Sequence, residues 1–472
     1  MAQPPAQPDP LIDPIDPIDA DRWPDLARTP EHSIRARIAR RLFTHALKNV
    51  PITVVAPNGL ALAGAGVPGG GGPVLRIRRP REFLNRLGRD GLIGFGEAYQ
   101  TGAWDTATGD ELAILLTELA SRLEDLIPGP LQRLRGIQAQ HLPREHDGDR
   151  HGARHNARAH YDLSNDLFEL FLDPSMTYSS ALFDPVADAD GPGDLHAAQL
   201  RKIDAILDAA GVRKGTRLLE IGSGWGSLAI KAAGERGASV VTLTLSEEQQ
   251  ELARRRVAAA GVADRVEVRL ADYREVAETA PFDAVVSVEM IEAVGRRYLP
   301  EYFQAIERNL AENGRVAIQA ITMAHHRMLA TQDTYTWMHK YIFPGGLIPS
   351  IPEMEYAAET AGLRPAARRD FGPDYARTLR AWRHRFEENW PKIAALGFDE
   401  VFHRTWRFYL AYCEAGFASG YLGVSHPKSA TACRTRATTP GAVIPEHPAS
   451  AAATPSSPSI SRPFRRSLAP SV

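Results

Sequence analysis

Apolar and polar positions along this chain fall into two kinds of pattern. From Ser33 to Leu47 apolar residues recur at helical spacing among arginines (Ile34, Ile38, Leu42, Phe43 and Ala46), which predicts an amphipathic helix. Strand-like pieces follow at Ile52 to Val55 and Val74 to Ile77, separated by the glycine-rich Gly64 to Gly72. Pro80-Arg-Glu-Phe-Leu-Asn-Arg-Leu then opens a helix, and Leu92-Ile-Gly-Phe-Gly-Glu-Ala-Tyr leads to Trp104. Residues 33–128 thus read as a small α+β domain without a catalytic constellation of its own. Tyr161 to Leu172 is amphipathic, with a start signal at Asp162 or Ser164, and Met176-Thr-Tyr-Ser-Ser-Ala-Leu-Phe reads as a turn leaving it. His196 to Gly211 predicts a further helix.

Beyond it the pattern changes. Short apolar runs at Leu218 to Ile221, Ser239 to Leu245, Val266 to Leu270, Phe282 to Val288 and Arg315 to Ile321 alternate with helical stretches such as Glu247 to Ala260. Strands separated in this way predict an α/β domain, a mostly parallel sheet with helices on both faces. Ligands of such sheets lie at the C-terminal strand ends, where the loops beginning at Gly222, Ser246, Asp272, Glu289 and Gln319 converge.

The first of these runs stops at glycines, in Arg217-Leu-Leu-Glu-Ile-Gly-Ser-Gly-Trp-Gly. Gly222, Gly224 and Gly226 make a tight strand-to-helix turn that lets backbone N–H groups approach a ligand at a helix N-terminus. The spacing is G-x-G-x-G, with Ser227 where a dinucleotide fingerprint has its third glycine. With acidic Glu220 before it, the stretch is similar to the first motif of class I S-adenosylmethionine (SAM) methyltransferases; alone, it also fits an NAD-type or purely structural turn.

Composition narrows the setting. The 472 residues are 44% hydrophobic and 24% charged, ordinary for a globular protein with roughly two to three domains. A net charge of -2 gives no global pull toward nucleic acid, and no nucleic-acid motif accompanies the local basic stretches. Two cysteines, Cys413 and Cys433, are too few for a disulfide framework. No run of about 18 uncharged apolar residues reads as a membrane span, and the Pro- and Asp-rich start does not read as a signal peptide. Residues 1–32 read as a disordered lead and 426–472, dominated by Pro, Ser, Thr and Ala, as a disordered tail. The basic, His-rich residues 129–159 fit a solvated linker, a dock for anionic lipid headgroups or, least well, a metal site, since no Cys or carboxylate joins the histidines at ligand spacing. No metal is expected. Residues 329–425 are helical and aromatic, which fits core packing or the lining of an apolar ligand tunnel.

Several blocks in order carry a more specific resemblance, from about Leu92 to Gly423. They are His160-Tyr-Asp-Leu-Ser-Asn-Asp-Leu-Phe, Met176-Thr-Tyr-Ser-Ser-Ala, Leu219-Glu-Ile-Gly-Ser-Gly-Trp-Gly, Leu243-Thr-Leu-Ser-Glu-Glu-Gln, Glu289-Met-Ile-Glu-Ala-Val-Gly, Tyr341-Ile-Phe-Pro-Gly-Gly and Tyr409-Leu-Ala-Tyr-Cys-Glu-Ala-Gly-Phe. Together they resemble the cyclopropane-fatty-acyl-phospholipid synthases and their relatives. The resemblance implies a class I SAM methyltransferase domain at residues 160–425 with helical additions forming an acyl pocket. It further implies a cytoplasmic enzyme, peripheral to the inner face of the membrane, acting on unsaturated acyl chains of phospholipids; a homodimer is compatible. An alkene attacking a sulfonium methyl leaves a carbocation, so the site must exclude water, and aromatic faces stabilise the charge.

Carried over by the same resemblance, Tyr178 and Ser179 lie near the methionine end of SAM and Gly222 and Gly224 at the turn. Thr244 and Gln249 lie near the ribose, and Tyr273, after Asp272, stacks on adenine. Bicarbonate serves as base in relatives, held by a Glu, a Tyr, a Cys, a His and an Ile backbone group. Glu292 and Tyr375 match and Ile321 falls at the backbone position, but Ser180 replaces the Cys, Gln319 the His, and Ala293 a His that usually follows the Glu. Hydroxyl and amide donors still bond an anion, with different proton chemistry, which puts bicarbonate in doubt here. Cys413 matches a family cysteine and reads as a buried apolar residue. These departures, with Gln319-Ala-Ile-Thr-Met, Tyr335-Thr-Trp-Met-His-Lys-Tyr-Ile-Phe-Pro-Gly-Gly and Gly94-Phe-Gly-Glu-Ala-Tyr, look most like the branch that makes 10-methylene or 10-methyl acids from oleoyl chains, as in tuberculostearic acid synthesis. A separate reductase would turn methylene into methyl. Cyclopropanation is the alternative product; a non-catalytic lipid- or SAM-binding protein and a methyltransferase of small molecules or nucleic acid are alternatives of other classes.

Overall fold

The computed structural model describes residues 18–31, 33–57, 61–63, 72–123, 164–188, 193–276, 278–365 and 368–427. The His-rich stretch 129–159, most of the lead, His160 to Leu163 and the tail beyond Pro427 lie outside them.

The N-terminal elements are α1 (Pro24–Ala27), α2 (Ser33–Ala46), β1 (Thr53–Val55), β2 (Ala61–Ala63), β3 (Val74–Ile77), α3 (Pro80–Asp90), α4 (Leu92–Gln100), β4 (Trp104–Asp105) and α5 (Gly109–Ser121). Proline at the first turn starts α3, and the Thr108 hydroxyl, accepting from Glu111 N–H at 3.0 Å, caps α5. The four strands form a small sheet in the order β2-β1-β3-β4.

The following elements are α6 (Asn165–Phe171), α7 (Leu195–Ala209), β5 (Arg217–Ile221), α8 (Ser227–Gly234), β6 (Ser239–Thr244), α9 (Glu247–Ala259), β7 (Val266–Leu270), β8 (Phe282–Val288), α10 (Leu299–Asn309) and β9 (Leu310–Met323). They continue with α11 (His325–Thr331), α12 (Trp337–Tyr341), α13 (Ile351–Thr360), β10 (Arg368–Asp370), α14 (Gly372–Glu388), α15 (Trp390–Ala395), α16 (Glu400–Ala418) and β11 (Leu422–Pro427). Seven strands pair in the order β10-β11-β9-β8-β5-β6-β7, and the five from β9 to β7 are parallel. Leu218 and Val240 pack on one face of this sheet and Leu219 and Val241 on the other, so both faces are buried, as the continuous apolar runs predict.

Three features depart from the sequence pattern. Part of the expected disordered lead is ordered, with α1 (Pro24–Ala27) burying Leu26. β9 begins at Leu310 rather than Arg315, and its pairing with β8 shifts register between Leu310 and Arg315, where Asn313 takes φ +65°. β10 and β11 extend the sheet antiparallel from a region that reads as wholly helical, and β11 takes in His426 and Pro427 from the expected tail.

The aromatic residues of α6, α14 and α16 share one core with the N-terminal elements, including Phe83, Tyr99, Trp104, Phe168, Phe171, Trp382 and Trp406. Gln100 ties them polarly, accepting from Trp337 Nε1 at 2.9 Å and donating to Thr405 Oγ1 at 2.8 Å. A Cβ on Gly96 would stand 2.5 Å from the Trp337 ring, so only glycine lets α4 approach it.

Candidate active site

The glycine turn sits at the C-terminal edge of the parallel sheet. Gly222 N–H and Ser223 N–H both donate to Leu243 O, at 3.0 and 2.7 Å, which holds the turn against β6. All three glycines have positive φ: +99° at Gly222, +49° at Gly224 and +88° at Gly226. A Cβ on Gly222 would meet Met290 at 3.4 Å and one on Gly226 would meet Ala253 at 3.3 Å, but one on Gly224 would meet nothing within 4 Å. Gly224 therefore faces open space beside the first N–H groups of α8, the shape a nucleoside ligand needs. Glu220 lies beneath the turn, its Oε2 accepting from Thr242 Oγ1 at 2.6 Å, and Thr242 Oγ1 is also 2.7 Å from Ser223 Oγ. Burial pushes its carboxyl up to about 8.

The neighbouring strand ends hold the other cofactor candidates. Thr244 Oγ1 donates to Gln249 Oε1 at 2.8 Å, and both side chains are buried where Ser246 caps α9. Asp272 accepts from the N–H and guanidinium of Arg274, a buried ion pair that shapes the loop after β7. Half-buried Tyr273 lies edge-on to Tyr302 at 5.2 Å between ring centroids. On the opposite side, Tyr178 O–H meets Tyr409 O–H at 2.6 Å, and Ser179 Oγ accepts from Lys202 Nζ at 2.6 Å. Lys202 is buried, and desolvation pushes its ammonium down to about 8.

Beside the turn lies a second cluster. Glu289 follows β8 with φ +50°. Its Oε1 accepts from Ser180 N–H at 2.9 Å and from Gln319 Nε2 at 2.8 Å, and its Oε2 from Tyr375 O–H at 2.7 Å. Glu292 Oε1 accepts from Ile321 N–H, while its Oε2 and the Oε1 of Gln319 are buried without a hydrogen-bond partner. Burial, and then the nearby Glu289, push the Glu292 carboxyl up to about 8. Ser180 Oγ turns away to Ala181 O at 3.0 Å. Cys413, expected to be buried, is half-buried and stands apart from this cluster's hydrogen bonds, and desolvation of its thiol pushes it up to about 12.

Comparison with known proteins places this arrangement. The family described as mycolic acid cyclopropane synthetase matches residues 149–427. This chain belongs to that family. The tuberculostearic acid methyltransferase UfaA1 of Mycobacterium tuberculosis is 51% identical over 413 residues, 86% of this chain and 95% of that protein. The cyclopropane-fatty-acyl-phospholipid synthase of Escherichia coli is 34% identical over 362 residues, 76% of this chain and 88% of that one. Among solved structures, the mycolic acid cyclopropane synthase CmaA1 complexed with SAH and CTAB matches 59% of this chain and 97% of its own, at 31% identity and a TM-score of 0.53. The α/β class, the SAM methyltransferase fold and the SAM cofactor expected from sequence are thus shown, and the protein is a SAM-dependent methyltransferase of this family.

Within the family frame, the structure brings Ser180, Gln319 and Tyr375 onto one acceptor, and that acceptor is Glu289, with Glu292 alongside on Ile321. From sequence, Glu289 opens one of the converging loops and belongs to a family block but carries no catalytic role, and Lys202 carries no role. A signal existed for each: a carboxylate at the end of an apolar strand, and a lysine on the face of α7 that also carries Leu195, Ala198, Ile203 and Ile206.

Proposed function

We propose that the protein methylates the double bond of an unsaturated, oleoyl-type phospholipid acyl chain with SAM, giving a 10-methylene or 10-methyl branched chain. The observation that carries this reading is the 51% identity over 95% of a tuberculostearic acid methyltransferase. The open space at Gly224 fits the cofactor, and Tyr178, Ser179, Gly222, Gly224, Gly226, Thr244, Gln249, Asp272 and Tyr273 are the residues proposed to hold it, braced from below by Glu220. When bound, SAM supplies an electrophilic methyl on a cationic sulfur.

The chain's own residues do the rest. The ring of Tyr178 lies 5.2 Å from that of Trp382, and Tyr375 stacks on Phe417 at 4.4 Å. Such faces stabilise a substrate cation and keep water from it. Glu292, Tyr375, Gln319 and Ser180 form the proton-handling pocket. A cation on the alkene carbon next to the methylated one closes to a cyclopropane on losing a methyl proton. A hydride shift first moves the charge to the methylated carbon, and the same loss then gives a methylene, which a hydride-donating reductase converts to methyl. Cyclopropanation is the second reading, favoured by the 34% identity to a cyclopropane synthase. Incubation with labelled SAM and oleoyl phospholipid, with mass spectrometry of the released acids, is expected to yield a methylated chain that ozone cleaves at a methylene; a ring as sole product would reject the first reading.

Such a substrate lies in a membrane, and α2 offers a face for it. Ile34, Ile38 and Leu42 are 66%, 54% and 40% exposed on one side of the helix, with Arg35, Arg37, Arg40 and Arg41 exposed around them, while Ala39 faces inward. An apolar stripe edged by arginines matches an anionic phospholipid surface. Replacing Ile34 and Ile38 by Asp removes apolar burial of about 1.5–3 kcal/mol per side chain. It is expected to weaken sedimentation with phosphatidylglycerol vesicles at least ~10-fold with SAM affinity intact; unchanged sedimentation refutes this face. No helix among the described residues is long and apolar enough to cross a membrane.

A further inference from the structure

Bicarbonate, a flat anion, needs hydrogen-bond donors converging from several sides. In this chain the donors at the matching positions are already engaged. The N–H of Ser180, the amide of Gln319 and the hydroxyl of Tyr375 end on the two oxygens of Glu289 at 2.9, 2.8 and 2.7 Å, and Ile321 N–H ends on Glu292. A free bicarbonate does not fit this pocket, because a carboxylate of the chain takes its donors. Building on the methylation proposed above, we infer that Glu289 is a resident base that replaces bicarbonate and accepts the proton lost by the alkylated substrate.

Three further observations support this role. First, Glu289 reaches the pocket through a backbone conformation, φ +50°, that glycine adopts freely and a residue with a side chain resists, so its three hydrogen bonds hold the carboxylate there against local strain. Second, it adjoins the cofactor turn, since the next residue, Met290, is the neighbour a Cβ on Gly222 would meet. Ser180 and Gln319 are wholly buried and Tyr375 nearly so, whereas Glu289 and Glu292 each keep part of their surface. Third, all three hydrogen-bond partners are neutral and burial raises its carboxyl, so it is a stronger proton acceptor than an ordinary carboxylate. Glu292 beside it, raised to about 8, stays protonated near neutral pH, and the two carboxyls divide into an acid and a base.

The step balances without an outside reagent. A C–H bond on the added methyl carbon breaks, and its electron pair forms the new C–C bond, the π bond of a methylene or the closing bond of a ring. The proton passes to a Glu289 carboxylate oxygen and returns to solvent when the product leaves.

The test uses the full chain in CO2-stripped buffer. Titration with 13C-bicarbonate followed by NMR is expected to show no saturable binding to wild type and saturable binding to Glu289→Gly, a variant whose backbone suits φ +50° and which frees three donors. Wild-type turnover on oleoyl phospholipid is expected to be indifferent to bicarbonate. Glu289→Gln keeps the shape without the proton affinity and should lose ~10²–10⁴-fold in kcat with SAM affinity retained, while added bicarbonate restores part of the activity of Glu289→Gly. Saturable bicarbonate binding by wild type, bicarbonate-dependent wild-type turnover, or a wild-type rate in Glu289→Gln would each overturn the assignment. If wild type yields no methylated oleoyl chain, the substrate reading fails, and the bicarbonate titration still decides what fills the pocket.

Discussion

The glycine turn and the Glu289 cluster beside it are built on opposite principles. On the glycine side Glu220 pairs with Thr242, Thr244 with Gln249 and Asp272 with Arg274, and the hydroxyl of Tyr302 is the buried exception. The space there is made by a missing side chain, at Gly224. On the proton side carboxylates crowd together, Glu292 Oε2 and Gln319 Oε1 lack partners, and Glu289 sits in a left-handed backbone conformation. A satisfied network rigidifies a binding surface, whereas unsatisfied and strained groups mark where a fold gives up stability for chemistry. The difference implies that binding and proton handling can be damaged separately.

The largest expected effect falls on the proton side. Glu289→Gln should lower kcat ~10²–10⁴-fold, as removal of a general base does, measured with labelled SAM and oleoyl vesicles. Next, Gly224→Val places a side chain in the open space and should weaken SAM binding by ~10²-fold, about 2.7 kcal/mol by calorimetry. A Cβ there meets no protein atom, but φ +49° strains a branched side chain, so Tm should fall as well and affinity is read on the folded protein well below it. Tyr375→Phe removes one donor to Glu289 and should cost about ten-fold in kcat, the weight of one hydrogen bond to a charged group, about 1.5 kcal/mol.

A pH series sharpens the contrast further. The carboxyls of Glu220 and Glu292 are raised in the folded state to about 8 from an ordinary 4.5. Their contribution to stability is therefore fully present below the ordinary carboxylate range and is lost as pH rises through about 8. Tm should fall from about pH 5 to about pH 8, and Glu292→Gln should flatten that slope. The smallest effect belongs to Cys413→Ser. With its thiol at about 12 the residue has no thiolate to offer near neutral pH, and kcat should change less than about two-fold.

Much of the glycine side was legible in the sequence, because it is local. Leu218 to Ile221, three glycines and the apolar start of α8 lie on contiguous residues, and the change of period marks strand and helix. The proton side is assembled from afar: Glu289 meets Gln319, Tyr375 and Ser180 across 30, 86 and 109 residues. Spacing along the chain cannot express that convergence, and the family resemblance directed attention to Glu292. The N-terminal elements show the same limit. Their helices and strands follow from pattern, but the Gln100 bridge from Trp337 to Thr405 spans 237 and 305 residues. β10 and β11 were hidden because they are short and join the sheet only after α14 and α16 have folded back beside it.

Titrating SAM into Glu289→Gln by calorimetry tests the separability of the two sides most directly. The account predicts an affinity within about three-fold of wild type in a protein that no longer turns over, since a factor of three is well under 1 kcal/mol. A loss of affinity comparable to that of Gly224→Val would contradict it, because binding and proton handling would then be one network.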